Sequence, residues 1–459
     1  MQSDTCFTGE ELRRLNQRHN AHVAYAGKVY DTSGFLAKHP GGWDQLMLGA
    51  GRDITQLFQS YHKPGTAKFI GEKCKYVGEL VDNEMPTFPP TEGEFFCTLR
   101  SRVMDYFKSN NLDPKVNVFA FFRYTTFAVL SILFWCLCIV LCRASWQFTA
   151  LLTAAASGFF GILVAMTLNH DGNHFAITHK PWVWRASTFI SDCINAISSL
   201  PWIYQHTYGH HIFTNIDGSD PDIKTINGGL DFWRIKQFQR WFPNYRFQHI
   251  YMPILYSIAT IKVKLQDFHS IFVMKKGPIR INQLGTYQLV SFIASKAIFF
   301  SYRLVFPYLF MPISSIFLIN LAAEVTTSLW LIPISVLNHV NAEAFGSSPT
   351  VENSGDSLKN DQTIIKQNWA EFQVATTVDY ATESWFWTVF TGALNHQVAH
   401  HLFPAVLQIY YPQITPIVKR TCAEFGLHYN EVPSYWDALR CHLGYLKVMG
   451  AAPKSQAKG

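Results

Sequence analysis

The chain has 459 residues, of which 48% are hydrophobic, 15% aromatic and only 15% charged. This composition is richer in aromatic rings than that of an average soluble enzyme, so it predicts a membrane protein. The formal net charge of +6 is modest and is not concentrated in one block. Together with the lack of any nucleic-acid-binding motif, it excludes a nucleic acid as the expected partner and favours anionic lipid head groups.

The N-terminal segment carries no apolar stretch of the kind found in secretory signals. The sequence therefore predicts a cytosolic N-terminus and membrane insertion through internal segments. Nine cysteines occur without a CxxC pair, which indicates reduced thiols.

Residues 1–81 predict a small soluble domain with two histidines in informative places. His39 precedes Pro-Gly-Gly in GKVYDTSGFLAKHPGG, and His62 follows in FQSYHKPG. Two neutral imidazoles that face each other can fill both axial positions of a haem iron, which suits electron transfer. HPGG alone also fits a surface histidine at a turn. The whole stretch, however, resembles cytochrome b5, and the resemblance implies that His39 and His62 bind haem b.

Two apolar regions follow an acidic, proline-rich segment at 82–94, which predicts a linker. Residues 124–142 and 147–168 are uncharged and long enough to cross about 30 Å of hydrocarbon as two helices. The region 287–338 repeats this pattern with interruptions and predicts two more spans. The apolar stretch 190–204 is too short for a span and predicts an interfacial or re-entrant helix.

Three histidine clusters lie beside these apolar regions. They are HDGNH at 170–174, HTYGHH at 206–211 and QVAHH at 397–401. Within each cluster the spacing is one helical turn, so the side chains are expected to share one face and one metal centre. Four spans place all three clusters and the N-terminal domain on the cytosolic side. A single membrane-flanking histidine is usually an interfacial residue, but three such clusters on one side favour metal binding.

Nitrogen ligands suit iron, zinc, copper or nickel. The neighbouring haem domain favours iron, because a one-electron donor has no purpose beside redox-silent zinc. Seven cluster histidines and Gln397 exceed what one ion can bind, so two ions are expected. Gln397 is the unusual member, because the other two clusters begin with histidine.

The order HxxxH, HxxxHH and QxxHH, with apolar hairpins between, resembles the membrane fatty acyl desaturases. The haem domain and the Gln at the third box are similar to front-end desaturases, which insert a double bond between an existing one and the carboxyl end. The resemblance implies a mainly α fold, in which a small α+β haem domain precedes a four-span helical membrane domain over 95–448. A cytosolic helical cap would carry the boxes, and residues 449–459 would form a tail.

The resemblance also implies a di-iron centre and its ligands. His339 enters this set because related desaturases have a further ligand at the end of the last span. The implied metal ligands are His170, His174, His206, His210, His211, His339, Gln397, His400 and His401. Polar neighbours expected to orient the imidazoles are Asp171, Asn173, Asn215 and His396, although Asp171 and Asn173 also fit a helix end.

Such an enzyme uses O2, two electrons and two protons to convert CH2–CH2 to a cis double bond and two waters. The resemblance implies a multi-pass protein of the endoplasmic reticulum membrane, with cytochrome b5 reductase as electron donor. The substrate would be a long-chain acyl-CoA or a phospholipid acyl chain.

The sequence NHQVAHHLFP resembles the third box of delta-5 desaturases more than the QIEHH form that is frequent in delta-6 enzymes. Delta-6, delta-4 and delta-8 acyl desaturases remain alternatives, as do a sphingolipid long-chain-base desaturase and a lipid hydroxylase. A membrane haem electron carrier with a non-catalytic metal site is the alternative of another class.

Overall fold

The structure is a computed structural model that describes residues 5–223, 231–273, 280–346, 352–353 and 363–453. The prediction of a mainly helical protein with a small α+β domain at its N-terminal end is confirmed. Of the expected tail, residues 454–459 lie outside the described part of the chain.

The N-terminal domain is built on a mixed sheet. A hairpin joins its two central strands through Ala26 (φ 49°) and Gly27 (φ 79°), and positive φ at both turn positions matches the right-handed twist of the strands. The strands are Cys6–Phe7, Asn16–Gln17, Asn20–Tyr25, Lys28–Asp31, Arg52–Asp53 and Lys75–Leu80. The helices are Gly9–Arg14, Leu36–Lys38 (3-10), Trp43–Gly49, Thr55–Tyr61 and Lys68–Lys73.

The proline-rich segment 82–94 is packed on both sides. Phe88 lies edge-on to Phe372, with ring centres 5.3 Å apart. The carbonyl of Pro90 accepts a hydrogen bond of 2.8 Å from the Gln59 side chain, and the carbonyl of Thr87 accepts one of 2.9 Å from Ile365 N. The segment therefore joins the two parts of the protein as a fixed strap.

In the described part of the chain four helices are long and apolar enough to cross a membrane, as predicted, and the chain is a membrane protein. They are Val118–Arg143, Gln147–Asn173, Thr286–Tyr308 and Ile313–Leu337, here called the first to fourth membrane helices. The first begins before the predicted residue 124, because the Asn117 side chain caps it by accepting from Phe119 N and Ala120 N at 2.8 and 3.2 Å.

Small residues bring the membrane helices close together. Ser131 and Ser157 exchange hydrogen bonds to each other's carbonyls, at 3.0 and 2.9 Å, between the first two helices. At Gly158 a Cβ atom would lie 2.2 Å from the carbonyl oxygen of Ala323 in the fourth helix. The second membrane helix thus packs tightly between the first and the fourth.

The structure differs from the prediction of one apolar helix over 190–204. Helix Pro181–Asn195 ends at Ala196 in a left-handed conformation (φ 52°), and a new helix, Ser199–Ile203, follows. Polar groups from distant parts of the chain form hydrogen bonds with the backbone groups that this break exposes. Lys296 donates to the Ala196 carbonyl, and Ser198 N donates to Asp267 at 2.9 Å. Because these partners are remote, the local sequence carried no sign of the break.

The remaining helices form a cap at one end of the membrane helices, and several of them share a hydrophobic core with Leu48 of the N-terminal domain. They are Glu94–Ser109, Tyr204–His210 (π), His211–Phe213, Pro243–Phe247 (3-10), Gln248–Tyr256, Ala259–Phe272, Ala342–Gly346, Trp369–Ala375, Trp385–Phe390, Gln397–Leu402, Gln408–Tyr410 (3-10), Tyr411–Glu424 and Tyr435–Gly450. Two short strand pairs complete it: Glu352–Asn353 with Thr363–Ile364, and Asp379–Tyr380 with Glu431–Val432.

Candidate metal centre

The first histidine box lies at the end of the second membrane helix. This helix widens to a π-helical turn over Ala165–Asn169 and returns to α-helical geometry at His170–Asn173. His170 and His174 are buried, and their ring centres are 4.6 Å apart. As expected from their spacing, the two imidazoles face the same space. Such π-helical turns are frequent at functional sites.

The second box also lies on a π-helical turn, Tyr204–His210. Its wider repeat brings His206 and His211 together, with their Nε2 atoms 3.0 Å apart. His210 turns toward His339, and these two ring centres are 4.6 Å apart. His206 and His210 also lie on one side of this turn, with ring centres 5.5 Å apart and nitrogens that group with a carboxylate oxygen of Asp222 within 4.8 Å. The prediction of an α-helix at this box needs correction, because the local helix is a π-helical turn.

The third box divides between two positions. It lies on helix Gln397–Leu402, where His400 and His401 are neighbours with ring planes 82° apart. The ring of His400 is 4.5 Å from that of His170, whereas the ring of His401 is 4.8 Å from that of His339. Gln397, His400 and His401 were expected to share one face, but His400 and His401 face two different groups of histidines.

In the described part of the chain the box histidines form two all-histidine clusters, and His206 and His210 also group with Asp222. Within each, one nitrogen per ring lies within 4.8 Å of the others. The first cluster is His170, His174, His206 and His400, and the second is His210, His339 and His401. His211 lies between them, with ring centres 4.5 Å from His400 and 4.4 Å from His401. The arrangement has room for two metal ions side by side.

Several ring nitrogens in these clusters are buried without a hydrogen-bond partner among the described residues. A buried polar atom without a partner costs about 1–3 kcal/mol, so a concentration of them indicates a ligand. The atoms are Nε2 of His170, His174, His400 and His401, and Nδ1 of His211. Buried, neutral imidazole nitrogens without a protein partner are suitable ligands for iron.

The opposite nitrogen of most rings is held by a neighbour. Outer hydrogen bonds of this type fix the orientation and the proton position of a metal-binding imidazole. The contacts from Nδ1 are His170 to Gln408 (2.8 Å), His174 to Tyr61 (2.6 Å), His210 to Asp220 (3.1 Å), His339 to the Thr376 carbonyl (3.3 Å), His400 to Tyr411 (3.1 Å) and His401 to Gln373 (2.8 Å).

Sequence reasoning missed most of these partners. Gln408, Tyr411, Gln373 and Tyr61 follow no motif that would mark them. Asp220 belongs to SDPD at 219–222, which fits a contact with the haem domain, a contact with a cationic edge, or a turn. Nothing in the local sequence assigned any of them to a histidine.

Of the four polar neighbours that were expected to orient imidazoles, none has a hydrogen bond to a box imidazole among the described residues. Asn215 donates to the His339 carbonyl at 3.0 Å, and its backbone N donates to Asp220 at 2.8 Å. Asp171 instead accepts from Tyr124, and Asn173 donates to Asn169 at 2.9 Å. His396 lies against Thr415 and Thr388, at 3.0 and 3.3 Å, because it precedes helix Gln397–Leu402 and turns away from both clusters.

Gln397 lies at the second cluster. Its Nε2 is 3.3 Å from Nε2 of His339, and its Oε1 is buried with no partner in the described ranges. An amide oxygen is a weaker metal ligand than imidazole but still offers lone pairs. The structure therefore brings Gln397 and all eight predicted histidine ligands into one site.

Burial determines the protonation state of the cluster histidines that lie outside the membrane helices. It holds the pKa values of His174, His211, His400 and His401 well below the ordinary value, which keeps these rings neutral as metal ligands must be. Burial also acts to lower the pKa of His210, but the carboxylates of Asp220 and Asp222 outweigh it and raise that pKa to about 9.

The two histidines of the N-terminal domain face each other. The ring centres of His39 and His62 are 6.2 Å apart, which accommodates a metal with a bond of about 2 Å to each nitrogen. Their Nδ1 atoms lie 3.0 and 3.1 Å from the carbonyls of Gly42 and Phe58, so the Nε2 atoms are available. Burial lowers the pKa of His39 and lowers that of His62 to about 4, which favours neutral rings. This pair fits the axial ligands of a haem.

Comparison with known proteins agrees with this geometry. The family model "Cytochrome b5-like Heme/Steroid binding domain" matches residues 8–81, and the model "Fatty acid desaturase" matches residues 144–433. An "Acyl-lipid (8-3)-desaturase" of Mortierella alpina is 39% identical, over 98% of each chain. A "Delta(5) fatty acid desaturase A" of Dictyostelium discoideum is 34% identical, over 97% of this chain and 94% of its own.

A third relative, an "Acyl-lipid (8-3)-desaturase" of Physcomitrium patens, is 33% identical, over 97% of this chain and 91% of its own. The similarity thus extends over both the haem domain and the membrane part. The chain belongs to the fatty acid desaturase family of oxidoreductases and carries a cytochrome b5-like domain at its N-terminal end.

Proposed function

We propose that this chain is a front-end acyl-lipid desaturase that introduces a cis double bond at the delta-5 position of long-chain polyunsaturated acyl chains. The observation that carries the proposal is the pair of histidine clusters with unpartnered nitrogens at the end of the membrane helices. Relatives named as (8-3) and Delta(5) desaturases, similar over nearly the whole chain, support the regiochemistry.

In this proposal the two clusters, His211 and Gln397 hold two iron ions, and His39 and His62 hold haem b. The irons supply, with O2, the oxidising power needed to remove hydrogen from two unactivated CH2 groups. The chain's own contribution is positional. Gln408, Tyr411 and Gln373 hold the histidine rings in place, so that their Nε2 atoms stay directed at the metal.

Residues 1–81 are the electron-transfer domain, residues 82–94 the strap and residues 95–448 the desaturase domain. We infer that the haem receives electrons from cytochrome b5 reductase. An even number of membrane helices supports a common side for the haem domain and the boxes, and we assign that side to the cytosol of the endoplasmic reticulum.

We infer that the substrate is an acyl chain of a membrane lipid rather than acyl-CoA. The relatives' names specify acyl-lipid substrates. The membrane helices also expose large apolar side chains, among them Phe122, Val129 and Phe317, as expected of a protein in contact with lipid. An acyl chain would enter from that side.

The test is expression in a host that lacks polyunsaturated lipids, with each candidate acid supplied and the double bonds located by mass spectrometry. The expected product carries a new bond at position 5, in lipids, with no new bond in fatty acids that lack prior unsaturation. Bonds at position 4, 6 or 8 contradict the regiochemistry, and new unsaturation only in long-chain bases contradicts the acyl assignment.

A further inference from the structure

One outer contact of the metal centre comes from the haem domain. The hydroxyl of Tyr61 lies 2.6 Å from Nδ1 of His174, and the two rings are nearly parallel, with an interplanar angle of 7°. Among the described side chains that form hydrogen bonds to Nδ1 of a box histidine, Tyr61 is the one that belongs to residues 1–81. The others come from the cap.

Tyr61 is also the residue that precedes His62 in the chain. It ends helix Thr55–Tyr61, and His62 caps that helix. A single peptide bond therefore connects a predicted haem ligand to a side chain that touches a predicted iron ligand. Because His174 Nε2 is buried without a partner in the described ranges, it is free for a metal, and Nδ1 can donate to the Tyr61 hydroxyl.

The haem domain is held in this position by specific contacts. Asp44, which is buried, accepts two hydrogen bonds from Arg185, at 2.6 and 3.0 Å. Such a bidentate pair fixes orientation as well as distance. Asn282 donates to the carbonyls of Met47 and Ala50 at 2.6 and 2.8 Å. The domain is thus docked at both ends of its helix Trp43–Gly49.

A further contact reaches the second histidine box. The Arg52 guanidinium lies over the rings of Tyr204 and Tyr208, 5.3 and 4.8 Å from their centres, and it donates to the carbonyls of Leu48 and Arg280. Both tyrosines belong to the π-helical turn that carries His206 and His210. Docking therefore fixes the haem domain directly against the metal centre.

We propose that Tyr61 is the electron relay between the haem domain and the metal centre, through the connected path His62, Tyr61 and His174. This inference rests on the proposed function. Electronic coupling falls steeply across gaps and is stronger through covalent and hydrogen bonds, and this path consists of those bonds throughout. In each transfer the haem is oxidised by one electron, and the metal held by His174 is reduced by one. Tyr61 keeps its proton and is unchanged, so it is a positioning residue rather than a catalytic one.

The test uses the full-length holoenzyme with Tyr61→Phe, which keeps the ring and its packing but removes the hydroxyl. The matched control is Tyr76→Phe, an exposed tyrosine of the same domain. Fully reduced enzyme is mixed with O2 and substrate in a stopped-flow instrument. Haem reoxidation is followed by absorbance, and the product of the first turnover is quantified after quenching.

We expect Tyr61→Phe to slow haem reoxidation severalfold, because it removes the hydrogen bond to His174 that completes the path. The haem spectrum, the haem potential, the iron content and the first-turnover product should match wild type, because that turnover draws on electrons already stored in the metal centre. Tyr76→Phe should match wild type in every readout.

Three outcomes overturn the relay. Haem reoxidation at the wild-type rate shows that Tyr61 is not on the path. Loss of iron or of first-turnover product shows that Tyr61 only supports the site. An equally slow Tyr76→Phe shows a general effect on the domain. Failure of the proposed function is recognised separately, since wild-type haem would then reoxidise no faster than that of a His211→Ala variant.

Discussion

His339 joins the second cluster from outside the three boxes. Its Nδ1 lies 3.3 Å from the Thr376 carbonyl, and its Nε2 faces Gln397. The ring is therefore held on one side and directed into the cluster on the other, as a metal ligand is. The contact with His339 also gives the glutamine of the third box a place in the structure, since the Gln397 amide lies beside the His339 ring.

Replacing His339 with alanine is expected to lower both the non-haem iron content and the yield of desaturated product by about tenfold or more, because it removes a ligand along with its supporting contact. Iron is measured by elemental analysis of purified protein. His428→Ala is the control, because His428 is exposed and lies in no box. A His339→Ala enzyme with full iron content would contradict the assignment.

His62→Ala should abolish the spectrum of a haem with two histidine ligands while leaving non-haem iron bound, because the two sites use different side chains. The measurement is the absorption spectrum of the oxidised and reduced protein. His19, exposed in the same domain, provides the control His19→Ala. An unchanged haem spectrum in His62→Ala would exclude His62 as an axial ligand.

The histidines of the boxes could be predicted from sequence because their identity and spacing are local. Their outer partners could not. Tyr61 lies 113 positions from His174, and Gln408 lies 238 from His170, so only folding brings them together. Asp171 and His396 contact other groups for the same reason, since nearness in sequence did not give contact with a box imidazole in space.

At the scale of the helix, two π-helical turns decide how the boxes face. The turn Tyr204–His210 brings His206 close to His211, while His206 and His210 remain stacked with ring centres 5.5 Å apart. The sequence predicted an α-helix here, because a local change of helix type leaves no clear mark in sequence. The four membrane helices were predictable from their apolar lengths, whereas the break at Ala196 depends on remote Lys296 and Asp267.

The close approach of the second and fourth membrane helices depends on Gly158. Gly158→Ala would place a Cβ 2.2 Å from the Ala323 carbonyl oxygen, and overpacking of this kind costs about 1–3 kcal/mol. We expect a lower Tm for the detergent-solubilised protein. In helix Tyr435–Gly450, Gly444 has open space around its Cα, so Gly444→Ala should not lower Tm. Equal Tm values for the two variants would contradict the packing.

At the scale of the whole molecule, the haem domain is docked on the membrane domain. The strap 82–94, the Asp44–Arg185 pair and Arg52 hold the haem histidines beside the boxes. The sequence predicted both domains but not their docking, because the contacts join segments far apart in the chain. Docking also brings the Tyr61 hydroxyl to Nδ1 of His174.

The central claim is that the two histidine clusters hold two iron ions supplied with electrons by the haem. It is tested most directly by measuring haem, non-haem iron and zinc in preparations of known desaturase activity. The account predicts about two non-haem irons per haem, with activity and non-haem iron lost together in His211→Ala. Active enzyme that contains zinc, or no iron beyond the haem, would contradict it.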